Sequence, residues 1–163
     1  MDKEKLVKLK DVINEKMILL DPPVKDKDGV IHMLVDLMSE NGKLFSSEQF
    51  LTSVYDREQL LSTYCGFYVA IPHGISETVK EPGVCFARIP EISWGPEQEK
   101  VRYVFLLAVP KIDDNRQSPH LKLLSAIAVS SLEEDIREIW ANASSEVEIL
   151  ESLKPALNGP END

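Results

Sequence analysis

Histidines are the side chains best suited to nucleophilic or acid–base chemistry in this chain, and its three differ in surroundings. An imidazole with an ordinary pKa of about 6.5 is mostly neutral near pH 7, so it can attack phosphorus or take a proton. His73 closes the run Thr63-Tyr-Cys-Gly-Phe-Tyr-Val-Ala-Ile-Pro-His and is followed by Gly74. His120 follows Ser118 and Pro119, an N-cap residue and a first-turn proline, so it falls at a helix start. Free amides and the positive end of the dipole favour an anion there. His32 recurs with Ile31, Leu34 and Val35 at helical spacing and reads as structural. Arg57 could offer phosphoryl oxygens a fork of donors, although taken alone it reads as a surface ion pair with Asp56 or Glu58.

Other chemistries fit less well. His73, His120 and Glu77 could be assembled around zinc, but no short-spaced ligand pair supports it. There is no Walker-type loop, no Gly-x-Gly-x-x-Gly and no Gly-x-Ser-x-Gly. Cys65 and Cys85 are too few for a disulfide framework and read as structural thiols, and Trp94 and Trp140 as core.

The elements that must position the histidines follow from apolar patterning. Phe67 to Ile71, aromatic and β-branched without charge, predicts a strand buried on both faces. Pro72 should end it and leave His73 on the loop past its carboxyl end, where open α/β sheets bind ligands. Val101 to Val109 predicts a central strand closed by Pro110, with a polar loop before the helix of His120. If the two strands are parallel neighbours, both histidines emerge at one sheet edge.

The remaining elements frame this pair. An amphipathic segment from Leu6 runs into a strand at Met17–Leu20, and a helix carries Ile31, Leu34, Val35 and Met38 until Gly42. Ser46 with Gln49 forms a capping box for a helix with Phe50, Leu51, Val54 and Leu61 on one face. Val84–Arg88 and Ile92–Trp94 read as separate extended pieces. Ser131 with Glu134, and Ser145 with Glu148, open two further helices, the last ended by Pro155. Strands interleaved with helices predict an α/β sandwich. At 163 residues with 43% hydrophobic and 28% charged, the chain suits one domain over 1–163 with its core at about 17–153.

Eighteen basic against twenty-eight acidic residues leave a net charge of −10, which argues against nucleic acid or an anionic membrane as partner and suits a basic protein. No signal peptide or membrane-spanning run is legible, so a reduced, cytoplasmic protein without direct membrane insertion is expected.

Ala70-Ile-Pro-His-Gly74, preceded by Arg57-Glu58 and Thr63-x-x-Gly66 and followed by Ile92-Ser-Trp94, Val104–Pro110 and His120-Leu-x-x-Leu-Ser125, closely resembles the enzyme IIA domains of the fructose–mannitol class of the bacterial phosphoenolpyruvate-dependent sugar phosphotransferase system. The likeness runs from about Met17 to Leu153. It implies a single mixed β-sheet sandwiched by helices on both faces. It also implies a carrier that takes a phosphoryl group from HPr and passes it to a cysteine of enzyme IIB of a sugar permease, with no cofactor and no metal. By position His73 matches the phosphorylated histidine, His120 the second active-site histidine and Arg57 the arginine near the site. Phe67, Tyr68 and Ile75 are expected to rim the docking face. A free-standing regulatory relative of the nitrogen-related type, and a metal-dependent hydrolase using His73 and His120, are the alternatives.

Overall fold

A computed structural model describes residues 12–111 and 122–158. Its strands are β1 (Ile18–Leu20), β2 (Tyr64–Gly66), β3 (Val69–Ala70), β4 (His73–Ser76), β5 (Gly83–Ser93) and β6 (Lys100–Pro110). The helices are α1 (Lys27–Glu40), α2 (Ser47–Leu60), α3 (Lys122–Ser130), α4 (Glu134–Asn142) and α5 (Glu146–Asn158). The strands form one mixed sheet in the order β1-β5-β6-β3-β2, with β4 also on β6. β6 is central, as its apolar run predicts: β5 lies antiparallel on one edge, and β3 and β4 lie parallel on the other.

Strand alternation explains why β5 and β6 are apolar on both faces. Cys85 touches Met38 of α1, while its neighbour Phe86 points the opposite way and meets Trp140 of α4, with ring centroids 5.9 Å apart. Phe105 of β6 also packs on Trp140, at 5.3 Å. α1 and α4 therefore cover opposite faces. Trp140 is fully buried, so its indole N–H needs a partner, and it donates to Ser152 of α5 at 3.0 Å. Arg88 fastens α4 to the sheet. One edge of its guanidinium pairs with both carboxylate oxygens of Asp21, and Nη1 donates to the carbonyls of Trp140 and Ala143 at that helix's end.

Helix starts follow local chemistry. Asp26 caps α1 by accepting from the Gly29 amide at 2.8 Å, and Ser46 caps α2 by accepting from Gln49 at 3.2 Å. Ser131 does not cap α4; it is buried at the end of α3, where its hydroxyl donates to the Ala128 carbonyl. Glu148 receives hydrogen bonds from Ser144 and Ser145 at the start of α5, and Pro155 lies inside that helix instead of ending it. The Ser118–His120 helix start lies outside the described residues. Val84–Arg88 and Ile92–Trp94 are mostly one long strand, β5, with an irregularity between Arg88 and Ile92. Among the described residues no helix is long and apolar enough to cross a membrane.

The expected Phe67–Ile71 strand is the main correction. Phe67 and Tyr68 are the two-residue turn of the β2–β3 hairpin, with φ of 56° and 68°. Such turns need positive φ at both positions, and Asn or Gly normally supply it. β-propensity therefore pointed the wrong way. Only Val69 and Ala70 precede the interruption, and His73 is not on a loop: it opens β4, level with Leu107.

Gly74 lets β4 lie against α2. A Cβ there would stand 2.9 Å from the Phe50 ring and 3.2 Å from Ser53. Phe50 is fully buried and cannot retreat freely. Gly74→Ala should cost about 2 kcal/mol, read as a lower urea midpoint at unchanged slope; an unchanged midpoint would contradict this close approach.

Candidate functional site

The site begins with a gap in a ladder. Ala70 pairs with Val104 and His73 with Leu107, so residues 69–76 stay in step with β6 across Ile71 and Pro72. Pro72 has no amide hydrogen but its carbonyl still accepts from the Leu107 amide at 3.1 Å. Ile71 uses its backbone elsewhere. Its N–H donates to the Thr63 carbonyl at 3.0 Å, and its carbonyl lies 2.9 Å from Nδ1 of His73.

A carbonyl can only accept, so Nδ1 carries the hydrogen in this contact. In the neutral ring the lone pair is then on Nε2. His73 is half-buried, and burial lowers its pKa below the ordinary imidazole value. The Ile71 hydrogen bond opposes that shift, the nearby Arg57 charge adds to it, and the Glu58 charge opposes it. The balance favours a neutral ring at pH 7, which a nucleophile requires.

Arg57 reaches the site from the last turn of α2. Its Nη1 donates to the Leu61 carbonyl at 2.6 Å, so it is not the partner of Asp56 or Glu58 that the residues alone suggested. His120 lies outside the described residues, so its meeting with His73 stays an expectation. His32 is exposed on α1 and its Nδ1 lies 2.9 Å from the Asp28 carbonyl, beside a groove it lines with Asp36 and Glu48. His73 and Arg57 take no part in that groove. Among the described residues no group of three or more His, Cys, Asp or Glu could hold a metal ion.

The expected rim divides. Ile75, two residues from His73 on the same strand face, is exposed. The Tyr68 carbonyl instead accepts from the Arg102 and Tyr103 amides, near the start of β6. Five residues of strand, roughly 16 Å, separate that level from Leu107 beside His73. Phe67 and Tyr68 therefore sit far from the imidazole, under the guanidinium groups of Arg137 and Arg102 respectively. Leu60 and Leu61, 82% and 71% exposed beside Arg57, supply apolar surface in their place. Leu61 was expected on the buried face of α2 but follows the helix with extended backbone.

Glu58 takes that inward position, and its part in the site was not legible from composition or charge. It follows Phe50 and Val54 at spacings of four, and that periodicity is the signal that marks it. Its side chain is 4% exposed. It accepts from the Thr63 amide (2.9 Å), the Thr63 hydroxyl (2.7 Å), Nε1 of Trp94 (2.9 Å) and Nζ of Lys27 (3.1 Å). Burial alone would raise its pKa, but the Thr63 hydrogen bonds and the Lys27 ammonium outweigh it and hold the carboxyl below its usual range.

A mixed sheet covered on both faces, with this break beside a half-buried histidine, defines an α/β fold found in solved structures. The nitrogen regulatory protein IIA-Ntr from Neisseria meningitidis is similar over 89% of this chain and 97% of its own, with 29% identity and a TM-score of 0.78. The fructose-specific EIIA component of Haloferax volcanii is 31% identical over 140 residues, 85% of this chain and 89% of that one. An Escherichia coli 2-O-alpha-mannosyl-D-glycerate-specific EIIABC component is 31% identical over 153 residues, which cover 91% of this chain and 23% of that longer one. Residues 11–155 match the family described as phosphoenolpyruvate-dependent sugar phosphotransferase system, EIIA 2, and the chain belongs to it.

The His73 shift carries a sign that can be checked. With the folded pKa below the unfolded one, the unfolded chain binds more protons, so stability falls as pH drops through about 6.5 towards the folded midpoint. A histidine-resolved NMR titration should place the His73 midpoint below about 6.5; a midpoint above that value would show that burial does not dominate.

Proposed function

We propose that this EIIA is a phosphocarrier that accepts a phosphoryl group from phospho-HPr on Nε2 of His73 and passes it to a cysteine of an enzyme IIB for sugar uptake. The observation that carries the reading is the Nδ1 contact with the Ile71 carbonyl, which reserves the Nε2 lone pair in a ring that burial keeps neutral. In the first step Nε2 bonds to phosphorus as the donor's P–N bond breaks, and the electron pair returns to the donor imidazole. In the second a thiolate of enzyme IIB attacks phosphorus and the pair returns to Nε2.

Phosphoryl transfer depends mainly on in-line positioning and on stabilising charge at the equatorial oxygens. Arg57 is the orienting donor in this reading, and its Leu61 hydrogen bond leaves further N–H groups on the guanidinium for the phosphoryl oxygens. In this reading His120 is the second imidazole that stabilises the transferring group. The exposed Leu60, Leu61 and Ile75 offer a partner apolar contact. An enzyme IIB partner is supported by the EIIABC relative, whose name joins the A, B and C components in one chain.

A regulatory reading has a specific support, the likeness to a nitrogen regulatory IIA. There the same phosphorylation would control binding to a target protein.

Incubation with phosphoenolpyruvate, enzyme I and HPr should label the chain with an acid-labile, base-stable phosphoryl group that His73→Ala abolishes. No label with a competent HPr would overturn the carrier reading. Onward transfer to an enzyme IIB cysteine separates transport from regulation. His120→Ala should still accept the group but pass it on at least about tenfold more slowly, by loss of one charge-stabilising contact; unchanged rates in both directions would remove His120 from the mechanism.

A further inference from the structure

Glu58 and His73 are joined by an unbroken series of hydrogen bonds through two residues. The carboxylate holds Thr63 at both its amide and its hydroxyl, the Thr63 carbonyl accepts from the Ile71 amide, and the Ile71 carbonyl receives Nδ1–H of His73. The N–H and C=O of each residue belong to adjacent peptide groups joined at its Cα, so the series acts by fixing backbone position. Thr63 and Ile71 lie one step beyond the paired residues Tyr64 and Ala70 of β2 and β3, and the carboxylate holds Thr63 from the helix side. The cost of burying an anion is met by four donors from three elements, Lys27 at the start of α1, Thr63 before β2 and Trp94 after β5. Lys27 also stands 4.9 Å over the Trp94 ring, which fixes the cluster as a unit. An apolar residue would fill this inward position of α2 more cheaply if packing were its only task.

We propose that Glu58 is a positioning residue for His73: through Thr63 it sets the Ile71 carbonyl that receives the Nδ1 hydrogen, and so holds the ring in the tautomer whose lone pair is on Nε2. The inference deepens the phosphocarrier reading and rests on it for its consequence in phosphoryl transfer. Glu58 itself touches neither the phosphoryl group nor the ring in this role. Its charge and that of Arg57, both from the last turn of α2, act on the ring with opposite sign, so loss of Glu58 also leaves the Arg57 effect unopposed.

The test reads the tautomer of His73 in the unphosphorylated full chain, from two-bond nitrogen–proton NMR correlations of the neutral ring. Wild type should show the Nδ1–H form; finding the Nε2–H form there overturns the proposal without any variant. Glu58→Gln should lower the ratio of Nδ1–H to Nε2–H by about tenfold, the change expected from weakening one hydrogen bond. Its rate of acceptance from phospho-HPr should fall as well. Thr63→Val should shift the ratio in the same direction, and Thr63→Ser, which keeps the hydroxyl, should leave it at the wild-type value. A Glu58→Gln protein that is less stable but keeps the wild-type ratio and rate would assign the residue to folding alone and overturn the proposal. If Glu58→Gln does not fold, the Thr63 pair decides by the same criterion. If wild type takes no phosphoryl group, the phosphocarrier reading fails, while the tautomer ratios still decide the positioning role.

Discussion

Much of the site follows from where Ile71 sends its two backbone groups. Alternate residues of a strand bond to opposite neighbours, and along this segment the carbonyls of Tyr68, Pro72 and Ser76 face β6. Pro72 removes one donor from the β6 ladder without shifting its register, because Ala70 and His73 still face Val104 and Leu107. Ile71 faces the other side, continuing the Tyr64–Ala70 register to Thr63 through its amide and reaching His73 through its carbonyl. A buried backbone group must find a partner. Here the demand is met by the imidazole itself, and it decides which ring nitrogen keeps a lone pair.

Around this break the fold supplies rigidity. β6 is the central strand, with β5 on one edge and β3 and β4 on the other, and helices cover both faces. Gly74 brings β4 against α2 closely enough that the final turn of the helix delivers Arg57 and Glu58 to the same region. Glu58 points inward to Thr63 and Trp94, whereas Arg57 bonds the carbonyl of the exposed Leu61. Neighbours in sequence thus serve different purposes because a helix turns by about 100° per residue.

Patterns with strong periodicity carried over from sequence to structure. The capped helix at Ser46, the helix carrying Ile31, Leu34, Val35 and Met38 and the central apolar strand stand where spacing places them. The failures share a cause: a local preference was outvoted by tertiary contacts. Phe67 and Tyr68 have strand-forming side chains but occupy a positive-φ turn, where Phe67 is stacked against Arg137 from α4. Ser131 suits an N-cap by type, yet its hydroxyl is used at the end of the preceding helix. Glu58 is charged yet buried because the helix register turns it inward after Phe50 and Val54, and Leu61 is apolar yet exposed because the helix has ended before it.

The sequence by itself determined the family, the layered α/β architecture and the candidacy of His73 and Arg57, since these rest on residue order and on periodic burial. Only the tertiary structure decided the state of the imidazole. Its tautomer depends on the Ile71 carbonyl, and its proton affinity on burial and on charges brought from a helix thirteen or more residues upstream. Such quantities depend on distances between segments that local propensity does not encode, and a few ångströms change each of them severalfold.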